Sequence, residues 1–93
     1  MLKIKKGFLL RRLGTEHMAV AIGEASKEFN GMIRLNDTGV FYWKELEKGT
    51  TAEELTAKTL ERFEGVDEET AAKDVKEFLE SISVALDDDT ADD

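Results

Sequence analysis

The spacing of apolar residues changes once along this chain of 93 residues, and that change constrains the fold more than any other feature. Before Leu35, apolar residues tend to recur at every second position, as Met18, Val20 and Ile22 do, which is typical of half-buried strands. After Leu35 they recur every three or four positions, which indicates amphipathic helices. The sequence therefore predicts an α+β domain in which strands come first and helices come after them.

Three strands are expected in the first third of the chain. Their apolar residues are Ile4, Phe8 and Leu10, interrupted by Gly7, then Met18, Val20 and Ile22, then Ile33 and Leu35. In the third strand, Met32 and Arg34 take the face opposite to Ile33 and Leu35, because successive side chains alternate across a strand. The Asn30-Gly31 pair before it is a strong turn signal.

Three helices are expected after the strands, each with a residue that can cap its first turn. The capping residues are Asn36 or Asp37, Thr51, whose capping box is completed by Glu54, and Asp67. The third helix has the clearest apolar stripe, formed by Ala71, Val75, Phe78, Leu79 and Ile82. The predicted fold is winged-helix-like, with a three-stranded antiparallel sheet followed by a three-helix bundle and a core shared by both.

Charge divides the chain unevenly. Residues 1–35 carry a net charge of +4 and residues 36–93 a net charge of −12, which gives −8 in total. Because aspartates dominate the last residues, we expect a domain over residues 1–84 and an acidic, disordered tail over residues 85–93. The basic first third favours an acidic partner, and we hypothesise that Arg34, together with Lys27, attracts acidic residues of a bound peptide.

The residue types present argue against most catalytic and metal sites. The chain has no cysteine, which excludes disulfide scaffolds, cysteine zinc sites and thiol nucleophiles. It has one histidine. The seven glycines are scattered singly, so no phosphate-binding loop is formed. We therefore expect no enzyme activity, no catalytic residues, no metal and no cofactor. His17 is expected to be an exposed strand residue.

Membrane and nucleic-acid partners are also disfavoured. No apolar run approaches the roughly 20 residues that span a bilayer, and no signal peptide precedes the first charges, so a cytoplasmic domain is expected. The third helix carries two lysines against six acidic residues, so it would repel phosphates rather than bind them. Trp43, an aromatic residue that could suggest stacking on bases, is instead expected in the core.

A protein or peptide partner remains, and the third strand offers a way to bind one. As the last strand in sequence order it is expected at the sheet edge, where unpaired backbone groups invite an added strand, unless the first strand pairs with it. About four ladder hydrogen bonds, each contributing roughly 0.5–1.5 kcal/mol, fall short of the roughly 8 kcal/mol of a micromolar complex. A groove between this strand and a neighbouring helix would have to bind apolar side chains as well.

One block joins the third strand to the first helix and carries a family resemblance. Its residues are Leu35-Asn36-Asp37-Thr38-Gly39, followed by Trp43 and Leu46. This block resembles the PqqD family, and residues 51–55 and 66–79 are similar to that family's second and third helices. The likeness covers residues 3–83. After Ile82 the chain departs from the family pattern, since it runs into aspartates where members often continue with apolar residues.

The resemblance implies a recognition element for ribosomally synthesised, post-translationally modified peptides. Such a domain binds the leader of a precursor peptide as a strand added to its third strand, against its third helix. It presents the peptide to a modifying enzyme, commonly a radical S-adenosylmethionine maturase, and has no catalytic residues of its own. Carried over by position, the peptide-binding residues are Gly31, Met32, Ile33, Arg34 and Leu35 on the strand and Asp74, Val75, Phe78 and Leu79 on the helix.

The function and the oligomeric state both stay open at this point. The chain could instead be a non-catalytic interaction domain that has kept the fold but scaffolds another protein complex. In either case it could be a monomer or a dimer joined through the open strand edge.

Overall fold

The computed structural model of the protein describes residues 1–29 and 31–88. Its strands are β1 (Leu2–Ile4), β2 (Phe8–Leu13), β3 (Glu16–Ala21), β4 (Met32–Leu35) and β5 (Leu86–Asp88). Its α-helices are α1 (Ala25–Glu28), α2 (Asp37–Lys48), α3 (Ala52–Arg62) and α4 (Glu68–Ser81), with a 3₁₀ turn at Ser83–Ala85. The predicted α+β class, with a three-stranded antiparallel sheet ahead of three main helices, is confirmed.

The three-stranded sheet has the order β2-β3-β4 and is antiparallel throughout. In its register Ala19 of the central strand faces Leu10 on one side and Ile33 on the other. Strand β4 therefore has a neighbour on one side, and its other side is an open edge among the described residues. The prediction that the strand containing Ile33 lies at the sheet edge is confirmed.

The first predicted strand is in fact two strands, and Gly7 separates them. Gly7 has a φ of +98°, a conformation that side chains disfavour, and its carbonyl accepts a hydrogen bond from the Ile22 amide at 2.7 Å. A Cβ at this position would lie 2.9 Å from the Cβ of Ala25. The backbone therefore turns here, and β1 leaves the main sheet to pair with β5.

The prediction that disorder begins at residue 85 was wrong for residues 85–88. Strand β5 pairs antiparallel with β1, with Leu86 opposite Ile4 and Asp88 opposite Leu2. Ala85 is buried, its carbonyl accepts from the Lys5 amide at 2.7 Å, and Leu86 packs against the core. Apolar burial and backbone pairing thus outweigh repulsion between the aspartates. The rest of the predicted tail, residues 89–93, lies outside the described residues.

Side-chain caps fix where the three main helices begin. Asn36 accepts a hydrogen bond from the Gly39 amide, Thr51 from the Glu54 amide and Asp67 from the Thr70 amide, at 2.8, 3.1 and 2.7 Å. All three predicted caps are confirmed, with Asn36 rather than Asp37 capping α2. The Glu54 carboxylate, predicted to reach back to Thr51, accepts instead from the Thr50 hydroxyl at 3.3 Å.

Two groups of buried side chains hold the sheet and helices together. The first, between the sheet and the helices, contains Phe8, Ala19, Leu35, Trp43, Leu46, Ile82 and Ala85. The second contains Tyr42, Leu55 and Val75, and Phe78 and Leu79 pack against both. Trp43 is fully buried, which confirms its predicted place in the core. None of the described helices is both long and apolar enough to cross a membrane.

Candidate functional site: the edge of β4 and the groove beside α4

The exposed edge of β4 is the first half of the candidate site. Its four residues pair with His17–Val20 of β3 on one side, so alternate backbone N–H and C=O groups point away from the sheet on the other. Leu35 is buried and Ile33 half-buried, whereas Met32 and Arg34 are exposed. The predicted division of the strand's two faces is confirmed. Gly31 precedes the strand and is also exposed.

A groove at the carboxyl end of β4 forms the second half, and we call it the edge groove. It has a volume of about 280 Å³ and is lined by Asn36, Thr38, Gly39, Tyr42, Asp74, Glu77, Phe78 and Ser81. Its two walls are the start of α2, which directly follows β4, and one side of α4. Asn36, which directly follows β4, lines it, whereas none of the four residues of β4 does.

Gly39 determines how closely α4 approaches the end of β4. A Cβ built on Gly39 would lie 3.2 Å from Cε1 of Phe78 and 3.4 Å from the Cβ of Leu35. Because glycine has no side chain, the Phe78 ring can lie against the first turn of α2 beside Leu35. This close packing joins strand and helix into one groove with an aromatic wall.

Tyr42 and Asp74 form a polar contact inside the edge groove. The Tyr42 hydroxyl donates a hydrogen bond to Oδ2 of Asp74 at 2.7 Å, and its ring lies 5.0 Å from the Phe78 ring. Burial, and then the hydrogen bond to the Asp74 carboxylate, raise the pKa of Tyr42 to about 12. The phenol therefore stays neutral at physiological pH and holds the Asp74 carboxylate at the groove wall.

The structure divides the four predicted α4 residues between two sides of the helix. Asp74 and Phe78 line the edge groove. Val75 is 1% exposed in the core, and it borders, with Leu79, a separate apolar groove between α3 and α4. We call this second depression the helix groove. The geometry therefore favours Asp74 and Phe78 over Val75 and Leu79 as residues that a strand on β4 could touch.

Charged side chains near the edge are paired with acidic neighbours. Arg34 lies 3.4 Å from Glu16 of β3, and both side chains are more than half exposed. Lys27, which together with Arg34 was expected to attract an acidic partner, pairs with Glu24. Lys27 lies in α1, and Glu24 directly precedes that helix. Such exposed pairs are weak, so Arg34 remains able to bind another acid. In the part of the chain that the structure describes, no three His, Cys, Asp or Glu residues are placed to hold a metal ion.

Sequence reasoning missed several residues of the edge groove, namely Tyr42, Glu77 and Ser81, and placed Thr38 and Gly39 in the family block without a role in binding. One signal was available. Asp74, Glu77, Phe78 and Ser81 follow one another at spacings of three, one and three and so form a stripe on α4 next to the apolar stripe. Its polar composition made it resemble a solvated face.

The comparison with family models identifies the family of the chain. The model described as coenzyme PQQ synthesis protein D (PqqD) matches residues 10–83, which include β4, the edge groove and all three main helices. The chain belongs to the PqqD family. The resemblance noted between residues 35 and 46 is thus confirmed. No curated protein sequence matches the chain.

A solved structure has the same fold as this PqqD-family chain. It is TbiB1 in complex with the TbiA(beta) leader peptide, and it matches with a TM-score of 0.71 over 87% of each chain. The two sequences are 21% identical, so what they are shown to share is the fold.

Proposed function

We propose that this PqqD-family chain binds the leader region of a ribosomally synthesised precursor peptide by β-strand addition to β4. The observation that carries the proposal is an open strand edge that runs into a groove with an aromatic wall. A strand on β4 would hydrogen-bond to the outward backbone groups of residues 31–35 and place side chains against Phe78. TbiB1, which has the same fold, binds a leader peptide.

The groove matters because the ladder alone is too short. Strand β4 has four residues, so it supplies only a few hydrogen bonds of about 0.5–1.5 kcal/mol each. Burial of one apolar side chain contributes about 1.5–3 kcal/mol more. A leader with an apolar residue in the edge groove would therefore gain affinity and register together.

We further propose that the chain acts as a non-catalytic carrier in the cytoplasm. It would present the bound leader to a modifying enzyme, and the family resemblance favours a radical S-adenosylmethionine maturase in that role. Since strand addition uses the backbone of the leader near the edge, the core segment of the precursor would stay free to reach the enzyme.

A peptide titration tests strand addition directly. The probe is the leader of a short precursor peptide encoded beside this chain's gene, in versions that carry a single N-methyl group at successive residues. N-methylation removes a donor, so binding should fall at every second position, where the amide faces β4. Affinity measured by fluorescence anisotropy should show that period of two. Equal effects at all positions would contradict strand addition.

Two substitutions on α4 separate the two grooves. Phe78→Ala removes the aromatic wall of the edge groove and should weaken leader binding about tenfold, because an aromatic contact is worth about 0.5–1.5 kcal/mol beyond its area. Leu79→Ala is the matched control, since Leu79 is also half-buried on α4 but borders the helix groove. The control should lose stability without losing affinity. The reverse result would place the peptide in the helix groove.

A further inference from the structure

The outer face of the three-stranded sheet, away from the helices, carries two ordered rows of side chains. Cross-strand neighbours in register form the first row, Leu9, Val20 and Met32, and the second row, Arg11, Met18 and Arg34. Neighbours in register share a face, because side chains alternate along every strand. One row is thus apolar, and the next has a guanidinium at each end.

Exposure is high at both ends of the apolar row. Leu9 on β2 and Met32 on β4 lie at opposite edges of the sheet and are 40% and 57% exposed, although both are large apolar residues. Met18 is only 7% exposed on the same face, where Arg11 and Arg34 are its neighbours in register. Each central residue has a neighbour on both sides, whereas Met32 and Arg34 lack one on the side where β4 is open.

A strand added to β4 would extend both rows by one residue. Resting on the proposed strand addition, we infer that the outer face selects which peptide binds. The bound peptide carries an apolar residue beside Met32 and an acidic residue beside Arg34, and these two peptide residues are two positions apart in sequence. The residue between them points to the inner face, beside Ile33, and is apolar because that face packs on the core. The recognised segment is an extended, acidic, apolar-rich tripeptide unit.

Charge makes this preference specific to an acid at one position. Arg34 already lies 3.4 Å from Glu16, which is diagonal to it on β3, and on its other side the row has no neighbouring strand. Since the pair is exposed, Glu16 competes only weakly with a peptide carboxylate. Glu16→Gln should therefore raise the affinity for acidic peptides about two- to threefold, whereas Arg34→Glu should repel them.

A displayed library of random peptides, selected on the purified full chain, tests the inference without knowledge of the natural precursor. Selected peptides should carry Asp or Glu two positions from an apolar residue and shift the amide signals of β4. Arg34→Glu should weaken them about three- to tenfold and should select Lys or Arg at the former acidic position. A peptide with that charge reversal should bind Arg34→Glu about as well as its parent binds the original chain.

Lys44→Glu is the matched control, because it changes the net charge equally at an exposed site on α2 that lies outside the edge groove. If selected peptides shift the amide signals of β4 but show no acidic position, or if Arg34→Glu and Lys44→Glu weaken binding equally, the inference is overturned while strand addition stands. If selection yields no peptide that shifts the amide signals of β4, strand addition and the inference are both wrong.

Discussion

Tyr42 is a buried residue with a raised pKa, and it is the chain's only tyrosine. Its phenol is buried and donates to Asp74, so its pKa is raised from 10.0 to about 12. A spectrophotometric titration of the phenolate therefore reports on one group without interference. We expect a midpoint near 12 in the folded chain and near 10.0 in denaturant.

The same shift predicts how stability changes at alkaline pH. Because the folded pKa is above the unfolded pKa, the Tyr42 contribution is fully present below pH 10 and is lost as pH rises towards 12. Asp74→Asn should lower the folded midpoint, since it removes the carboxylate. Glu77→Gln, a nearby acid of the same groove, should leave it unchanged. Equal shifts in both variants would show that general charge, not the hydrogen bond, sets the pKa.

For single residues, the sequence predicts the consequences of alternation and little that depends on contacts between distant elements. The opposite faces of Met32 and Ile33 are set by the period of two. The position of Val75 in the core and of Phe78 in the edge groove depends on where β4 ends relative to α4. That depends in turn on Gly39, whose role is visible only once Phe78 lies beside it.

Trp43 shows the same limit inside the core. Its burial is explained by its place in the apolar stripe of α2. Its indole N–H, however, has no hydrogen-bond partner in the described part of the chain. Spacing along a helix predicts burial but does not tell whether a polar atom finds a partner.

Among the elements, α4 begins at a titratable cap. The Asp67 carboxylate accepts from the Thr70 amide, and this hydrogen bond holds its pKa below the ordinary 3.8. Because the folded pKa is lowered, the stabilisation is present above pH 3.8 and is lost as pH falls through the folded pKa. Helix stability should therefore decline on acidification partly through this residue.

Asp67→Asn separates the cap from its charge, since asparagine caps helices as well as aspartate does. Denaturation free energies measured from about pH 6 down to about pH 2 should show the advantage of the original chain over this variant shrinking as pH falls. Glu69→Gln, in the same first turn, is the control. A difference that stays constant with pH would refute the role of the Asp67 charge.

Element boundaries were predictable where a local signal marked them. Three helix starts could be placed from their caps, because capping depends on residues close in sequence. The pairing of β1 with β5 joins Leu2 to Asp88 across almost the whole chain. Two strands of three residues each, one of them rich in aspartate, carry no local signal that predicts this pairing.

In the molecule as a whole, the second small sheet leaves β4 as a free edge of the main sheet, with β2 at the opposite edge. Strand β1 could have paired with β4, but it pairs with β5 and contacts Thr50 through two backbone hydrogen bonds. The charge division also becomes spatial, since the main sheet carries Arg11, Arg12 and Arg34 while α4 is acidic. An acidic peptide would therefore meet basic side chains at the sheet and an aromatic wall at the helix.

Backbone amide hydrogen exchange in β4 is the sharpest test of strand addition. In the free chain, alternate amides of Met32–Leu35 should exchange fast, because they point away from β3 at the open edge. A saturating leader peptide should slow those same amides and leave β1 and β5 unchanged. Protection of every β4 amide in the free monomer, or protection by the leader elsewhere with β4 unaffected, would contradict binding at this edge.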